Sequence, residues 1–198
     1  MIAIITYIVI VLSAVVHEFF HGWVAYMLGD NTAKYAGRLT LNPIKHMDLM
    51  GTVVVPLLLL LSPAHIFIGW AKPVPYNPYN LRDQKFGSTK VALAGPLANL
   101  LIALIFGLAL RFSYAHLSGF SYNLFVLITA VNLGLMIFNL IPVPPLDGSK
   151  LLMDLFPKAF LFLTQLSVFG IVIALFIGYT ILPPLTTALF TLITGIRY

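Results

Sequence analysis

The chain has 198 residues, of which 60% are hydrophobic and only 9% charged, with a mean hydropathy of +1.00. A soluble domain carries about 25% charged residues, so a soluble fold is excluded and any chemistry lies in or beside a bilayer. The net charge of +5 suits anionic headgroups rather than nucleic acid, and the absence of cysteine excludes disulfides, thiolate nucleophiles and Cys-based metal sites.

At about 20 residues per span, this length accommodates five or six apolar segments and no separate soluble domain. Residues 1–198 therefore read as one integral-membrane domain, an all-α polytopic protein of transmembrane or re-entrant segments. The first apolar stretch, Ile2 to Leu28, exceeds a signal-peptide core, and no Lys or Arg precedes Lys34, so it reads as a retained helix. Further stretches run over Gly51 to Gly69, Val91 to Leu110, Leu124 to Ile141 and Ala159 to Leu182, where Pro183 and Pro184 are expected to interrupt a last segment reaching Ile196. The connections are short and rich in turn formers, and none is long enough for a domain linker.

Gly51 to Gly69, which contains Pro56 and Pro63, either crosses the bilayer or enters and returns. Crossing would divide the flanking Lys and Arg residues six against four. Re-entry places nine of them in 29–50, 70–90 and 142–160, on one side, against one in 111–123. The positive-inside rule favours re-entry, which requires that backbone to be buried in protein or to line a wet cavity. The C-terminal end of the first helix then faces the cytoplasm.

Within that helix lies His17-Glu18-Phe19-Phe20-His21, the spacing H-E-x-x-H. Histidines at i and i+4 project from one helical face, so both imidazoles can reach a single Zn²⁺, and the intervening Glu can reach its water. Glu18 is the only glutamate in the chain. Two polar residues packed between helices would be the plainer explanation, but an ionisable cluster in an otherwise uncharged apolar helix is costly and marks a functional site. Catalytic zinc needs a third ligand, drawn from Asp30, Asp48, Asp83, Asp147, Asp154, His46, His65 or His116. Asp147 follows Pro142-Val143-Pro144-Pro145-Leu146, whose prolines keep the backbone out of a regular helix, and precedes Gly148. Taken alone it would be a surface Asp-Gly turn. In the re-entrant topology it emerges at the same face as His21, whereas crossing would strand it on the other.

Together these residues resemble the site-2 protease family of intramembrane zinc metalloproteases, peptidase family M50. The matching positions are His17, Glu18 and His21 in the first helix and Asn139, Asp147 and Gly148 in a later segment. The stretches Gly37-Arg38-Leu39-Thr40-Leu41-Asn42-Pro43, Gly69-Trp70-Ala71-Lys72-Pro73-Val74 and Ala94-Gly95-Pro96-Leu97-Ala98-Asn99 resemble the compact prokaryotic branch. The resemblance implies one zinc per chain held by His17, His21 and Asp147, and Glu18 activating water to hydrolyse transmembrane protein or peptide substrates. It also implies a multi-pass protein of the cell membrane with its site nearer the cytoplasmic face. Many members have a helix before the H-E-x-x-H helix and many append a PDZ or CBS domain; this chain is read as having neither. Asn139 reads as a hydrogen-bond donor to substrate or to developing charge, or as an interhelical polar bond.

The segments 41–56 and 69–80 offer an edge for an extended peptide, or are simply connecting loops. His46 and Asp48 read as interfacial or capping groups, with a supporting position beside the metal as the other option. Asn99 reads as polar glue between helices. The rival functional classes are a catalytically inactive metal-binding member and a haem-binding membrane protein. The latter needs a partner such as His116, because His17 and His21 on one turn cannot occupy opposite axial positions. Oligomeric state is not legible.

Overall fold

The computed structural model describes residues 2–61, 71–113, 116–165 and 168–196. Among the described residues, four helices are long and apolar enough to cross a membrane: α1 (Ile2–Met27), α4 (Gly87–Ser113), α5 (Gly119–Asn139) and α8 (Val168–Thr194). At 1.5 Å per residue each extends roughly 30–40 Å, the thickness of a bilayer's hydrocarbon core or more. Between them lie the short helices α2 (Thr32–Tyr35), α3 (Val55–Leu61), α6 (Gly148–Leu155) and α7 (Pro157–Gln165), and no strand occurs among the described residues. The all-helical, polytopic class expected from composition is the observed one.

α4 and α5 pack most extensively, with α8 against both. Ala103, Leu110, Leu133, Met136, Ile137 and Phe190 form the core between them. Close approach is possible because α4 buries small residues, among them Ser88, Ala92, Ala94, Gly95, Ala98, Ala103 and Gly107. At Gly107 a Cβ would lie 2.6 Å from Ile193 Cγ2 of α8, so this position sets how near the two helices come.

The apolar segment beginning near Gly51 does not form a fifth long helix in its described part. A π-helical turn, Leu49–Val54, started by Asp48 accepting from Gly51 N (2.7 Å), runs into the seven-residue α3. The Tyr7 hydroxyl donates to the Thr52 carbonyl and ties this turn to α1. The flanks of the segment meet: Lys72 N donates to the His46 carbonyl (2.8 Å), and ten residues later Arg82 N donates to the Leu28 carbonyl at the end of α1 (2.8 Å). The chain therefore returns to where it set out, as the charge count favours. His65 and the pair Gly69-Trp70 lie outside the described residues.

The expected interruption at Pro183 and Pro184 does not occur, since α8 runs through both. Each proline removes one helical N–H, a loss of about 3 kcal/mol in water. Leu182, Leu189, Phe190 and Ile193 on both sides of the pair pack on one core, and that continuous burial holds the helix together. The preceding apolar stretch from Ala159 is instead shared between α7 and α8.

Asp30, just past α1, is fully buried. Its carboxylate accepts from Thr32 N (3.1 Å), Thr32 Oγ1 (2.5 Å), Asn80 Nδ2 (2.9 Å) and Asn77 N (2.7 Å), so it pins the extended chain before α4 onto the end of α1. Burial pushes this carboxyl up, but the bonds from Thr32, Asn80 and Asn77 more than offset that and hold it below its ordinary value. A carboxylate lowered on folding stabilises the native state above its unfolded value, near 3.9, and loses that contribution as pH falls through the folded value. Asp30→Asn is accordingly expected to cost about 1.5–3 kcal/mol at pH 7. Thermal unfolding in detergent should show this deficit narrowing as the pH is taken below 4; a constant deficit would contradict the assignment.

Candidate metal centre

His17 and His21 sit one turn apart on α1, both buried, with ring centroids 4.5 Å apart. Asp147 lies 130 residues after His17, at the N-cap of α6, yet its side chain does not cap that helix. It turns to the histidines: Oδ2 lies 3.0 Å from His17 Nε2 and 3.2 Å from His21 Nε2, and the two Nε2 atoms are 2.9 Å apart. The turn is built around Gly148, where a Cβ would overlap the Leu140 carbonyl. Among the described residues, these three form the one group of histidine and acidic side chains arranged to hold a metal.

The protons on the imidazoles can be traced through the hydrogen bonds. Asn132 Nδ2 donates to the Ile128 carbonyl (2.9 Å) and to Ser13 Oγ (2.9 Å), so Asn132 Oδ1 faces Asn99. Asn99 must then offer Nδ2 to it (2.8 Å), which leaves Asn99 Oδ1 to accept from His17 Nδ1 at 2.6 Å. His21 Nδ1 donates to the Val91 carbonyl at 2.7 Å. With both Nδ1 atoms carrying hydrogen, the neutral rings present two Nε2 lone pairs beside a carboxylate oxygen. These three atoms converge in a buried space as a set that could hold a cation. Tetrahedral zinc with bonds of about 2.0–2.1 Å separates its ligand atoms by about 3.3 Å, close to the spacing found, so the donor set fits this ion.

α4 completes the space. Gly95 faces the two imidazoles so closely that a Cβ there would lie 2.5 Å from both His17 Nε2 and His21 Nε2. In the sequence Gly95 stands within Ala94-Gly95-Pro96-Leu97-Ala98-Asn99, and nothing in linear spacing shows that it opposes the histidines. Ser13 and Asn132, which stand in no sequence motif, join α1, α4 and α5 together with Asn99. Asn99, expected as interhelical glue, is that and also orients His17. Asn99→Ala should raise the zinc dissociation constant about 10–100-fold with the helices intact, as measured by competition with a chromogenic chelator. An unchanged constant would show that the His17 orientation does not depend on it.

Glu18 is half-buried, and its Oε2 accepts from Val74 N at 2.7 Å. Val74 belongs to extended chain that nestles against α1 at Gly22, where a Cβ would lie 2.8 Å from Val74 Cγ1. The carboxylate is thus held by a backbone donor. Asn139 donates from Nδ2 to the Leu135 carbonyl of its own helix (3.0 Å). His46 bonds the Thr40 carbonyl and Asp48 caps the π-helical turn, so neither contacts the histidine pair, and His116 is exposed.

The fold and this donor set define a multi-pass membrane protein with a candidate metal centre between its first span and a loop following its third. The chain belongs to peptidase family M50, whose family model matches residues 5–182. It is 39% identical over 181 residues to "Putative zinc metalloprotease YwhC" of Bacillus subtilis, covering 87% of this chain and 79% of that one. It is also 34% identical over 142 residues to "Putative zinc metalloprotease Rip2" of Mycolicibacterium smegmatis, covering 69% of this chain and 51% of that protein. Rip2 of Mycobacterium tuberculosis is similar at 27% identity over 136 residues, with the same coverage. No solved structure gives a significant match.

Proposed function

We propose that this chain is an intramembrane zinc endopeptidase that hydrolyses peptide bonds in or near transmembrane segments of other proteins. The observation that carries the reading is the convergence of His17 Nε2, His21 Nε2 and an Asp147 oxygen within 2.9–3.2 Å of one another, with Glu18 on the adjacent face of the same helix. His17, His21 and Asp147 would hold one zinc per chain. When bound, zinc supplies a Lewis acid that polarises the scissile carbonyl and acidifies water.

The chain's own groups do the rest. Val74 N–H holds Glu18 Oε2, leaving Oε1 to take a proton from the attacking water and pass it to the leaving amine. Water thus adds across the C–N bond, hydroxide to the carbonyl carbon and the proton to nitrogen. Asn99 and the Val91 carbonyl keep both histidines in the tautomer that binds metal. The second hydrogen on Asn139 Nδ2 is the donor for contact with substrate. A helical substrate hides its carbonyls in its own hydrogen bonds, so it must unwind before attack, and the extended backbone around Val74 suits pairing with the unwound stretch. The nine-to-one charge distribution supports a cell-membrane protein with the site nearer the cytoplasmic face.

The test is hydrolysis of a panel of single-span model peptides with Gly or Pro near the helix centre, by zinc-loaded protein in proteoliposomes. Cleavage products that vanish with a chelator and return with zinc are expected. A folded, zinc-loaded protein that cuts none of them would favour the inactive metal-binding reading.

A further inference from the structure

We infer that Thr89 and Asp154 are positioning residues for the metal: they clasp α6 to the opening turn of α4 and so hold the Asp147 carboxylate in place for zinc, an inference that rests on the zinc peptidase reading. With eight residues, α6 is too short to sustain a helix by itself in water, so its place is set by what it touches. It packs against α4 and α7. At its start Gly148 lies against the Leu140 carbonyl, and Asp147 turns to the histidines.

At its other end Asp154 turns to α4. Its Oδ2 accepts from Thr89 Oγ1 at 2.6 Å and from Thr89 N at 3.2 Å, and Thr89 Oγ1 also lies 3.3 Å from the Lys150 carbonyl one turn earlier on α6. Asp147 has helical backbone angles (φ −60°, ψ −39°), so the helical repeat extends to it. Seven residues separate it from Asp154, close to two turns, which puts both carboxylates on one face of α6, about 10 Å apart along its axis. That face is therefore tied at both ends, to the histidines by Asp147 and to Thr89 by Asp154.

Thr89 is the third residue of α4, where a backbone N–H has no partner within its own helix and a carboxylate is favoured. Asp154 supplies that partner from another element. Two residues further along, the Val91 carbonyl accepts from His21 Nδ1 at 2.7 Å. The opening of α4 thus serves as a common reference for two of the three candidate ligands, His21 directly and Asp147 through α6. A metal ligand has to be held to within about 0.5 Å, and one carried by a loose segment binds more weakly because ordering that segment opposes binding. A clasp on the ligand's own helical face removes this penalty before the metal arrives.

The test measures the zinc dissociation constant of folded wild type, Thr89→Val, Thr89→Ser, Asp154→Ala and Asn99→Ala in detergent, by competition with a chromogenic chelator, and follows amide exchange of α6 in metal-free protein. Val keeps the shape and the N–H of Thr89 and removes the hydroxyl; Ser keeps the hydroxyl. Thr89→Val and Asp154→Ala should each raise the constant about tenfold, and Thr89→Ser should leave it within about twofold of wild type. Thr89→Val combined with Asp154→Ala should weaken zinc no more than Asp154→Ala alone, because both break one clasp. Combined with Asn99→Ala, which acts on His17, its effect should multiply. The α6 amides of the metal-free protein should exchange about tenfold faster in Thr89→Val than in wild type.

A Thr89→Val protein that melts earlier yet keeps the wild-type zinc constant would make the clasp a structural contact only and overturn the inference. Effects of Thr89→Val and Asp154→Ala that multiply would do the same. Should the variants fail to fold, metal-free wild type decides: protected α6 amides are expected, and exchange at the rate of an open chain until zinc is added would overturn the inference. Zinc retained in Asp147→Ala, or a folded wild type that binds none, would instead overturn the ligand assignment and this inference with it.

Discussion

Glu18→Gln should abolish cleavage while keeping the metal, whereas His17→Ala and Asp147→Ala should lose both. Gln preserves the shape of the side chain and can still lie against Val74 N, but it cannot take a proton from water. General-base contributions of this kind are about 10²–10⁴-fold, so turnover should fall into that range or below detection. His17→Ala removes one of three converging atoms, and Asp147→Ala removes the only anionic one, leaving two Nε2 lone pairs that cannot by themselves retain a divalent ion against a chelator. Elemental analysis of detergent-purified protein reads the metal, and the model-peptide assay reads the chemistry. One zinc per chain in wild type and in Glu18→Gln, with less than a tenth of that in the two alanine variants, is the expected pattern. Zinc retained in Asp147→Ala would remove Asp147 from the ligand set, and activity retained in Glu18→Gln would remove Glu18 from the proton transfer.

Gly95→Ala should produce a protein that still folds and binds no zinc. Alanine is favoured over glycine inside a helix by about 1 kcal/mol, so on propensity alone α4 gains. The added methyl, however, would stand 2.5 Å from both His17 Nε2 and His21 Nε2, far inside any contact distance, and it is carried by the backbone of a buried helix that cannot step aside. The histidines must swing away, breaking the bonds from His17 to Asn99 and from His21 to the Val91 carbonyl that set their tautomers. A cooperative thermal transition at lower temperature than wild type, together with loss of zinc and of cleavage, is the expected signature, because the lost buried bonds outweigh the gain in helix propensity. If Gly95→Ala binds zinc normally, α4 does not close the metal space as described.

Much of this protein is legible in its sequence because a bilayer allows few solutions. Four of the apolar stretches are long helices, since only a helix satisfies its own backbone in hydrocarbon. The i, i+4 spacing of His17 and His21 follows from helix geometry alone, so two converging imidazoles could be read before any fold was known. The charge count also anticipated that the segment after His46 returns to its starting end.

What spacing could not supply is everything that depends on one helix meeting another. Asp147 is 130 residues from His17, and only the packing of α1, α4 and α5 decides that its carboxylate turns inward instead of capping α6. Gly95, Asn132, Ser13 and the Val74 N–H act through contacts between elements and carry no local pattern. Pro183 and Pro184 misled in the opposite sense, because a local rule was overruled by burial on both sides of the pair. Composition and periodicity thus determined that this is a helical membrane protein with a histidine pair and a single glutamate on its first span. Tertiary structure alone decided how an Asp147 oxygen, a backbone donor for Glu18 and a glycine-walled space come together, because those distances arise between different elements of the fold.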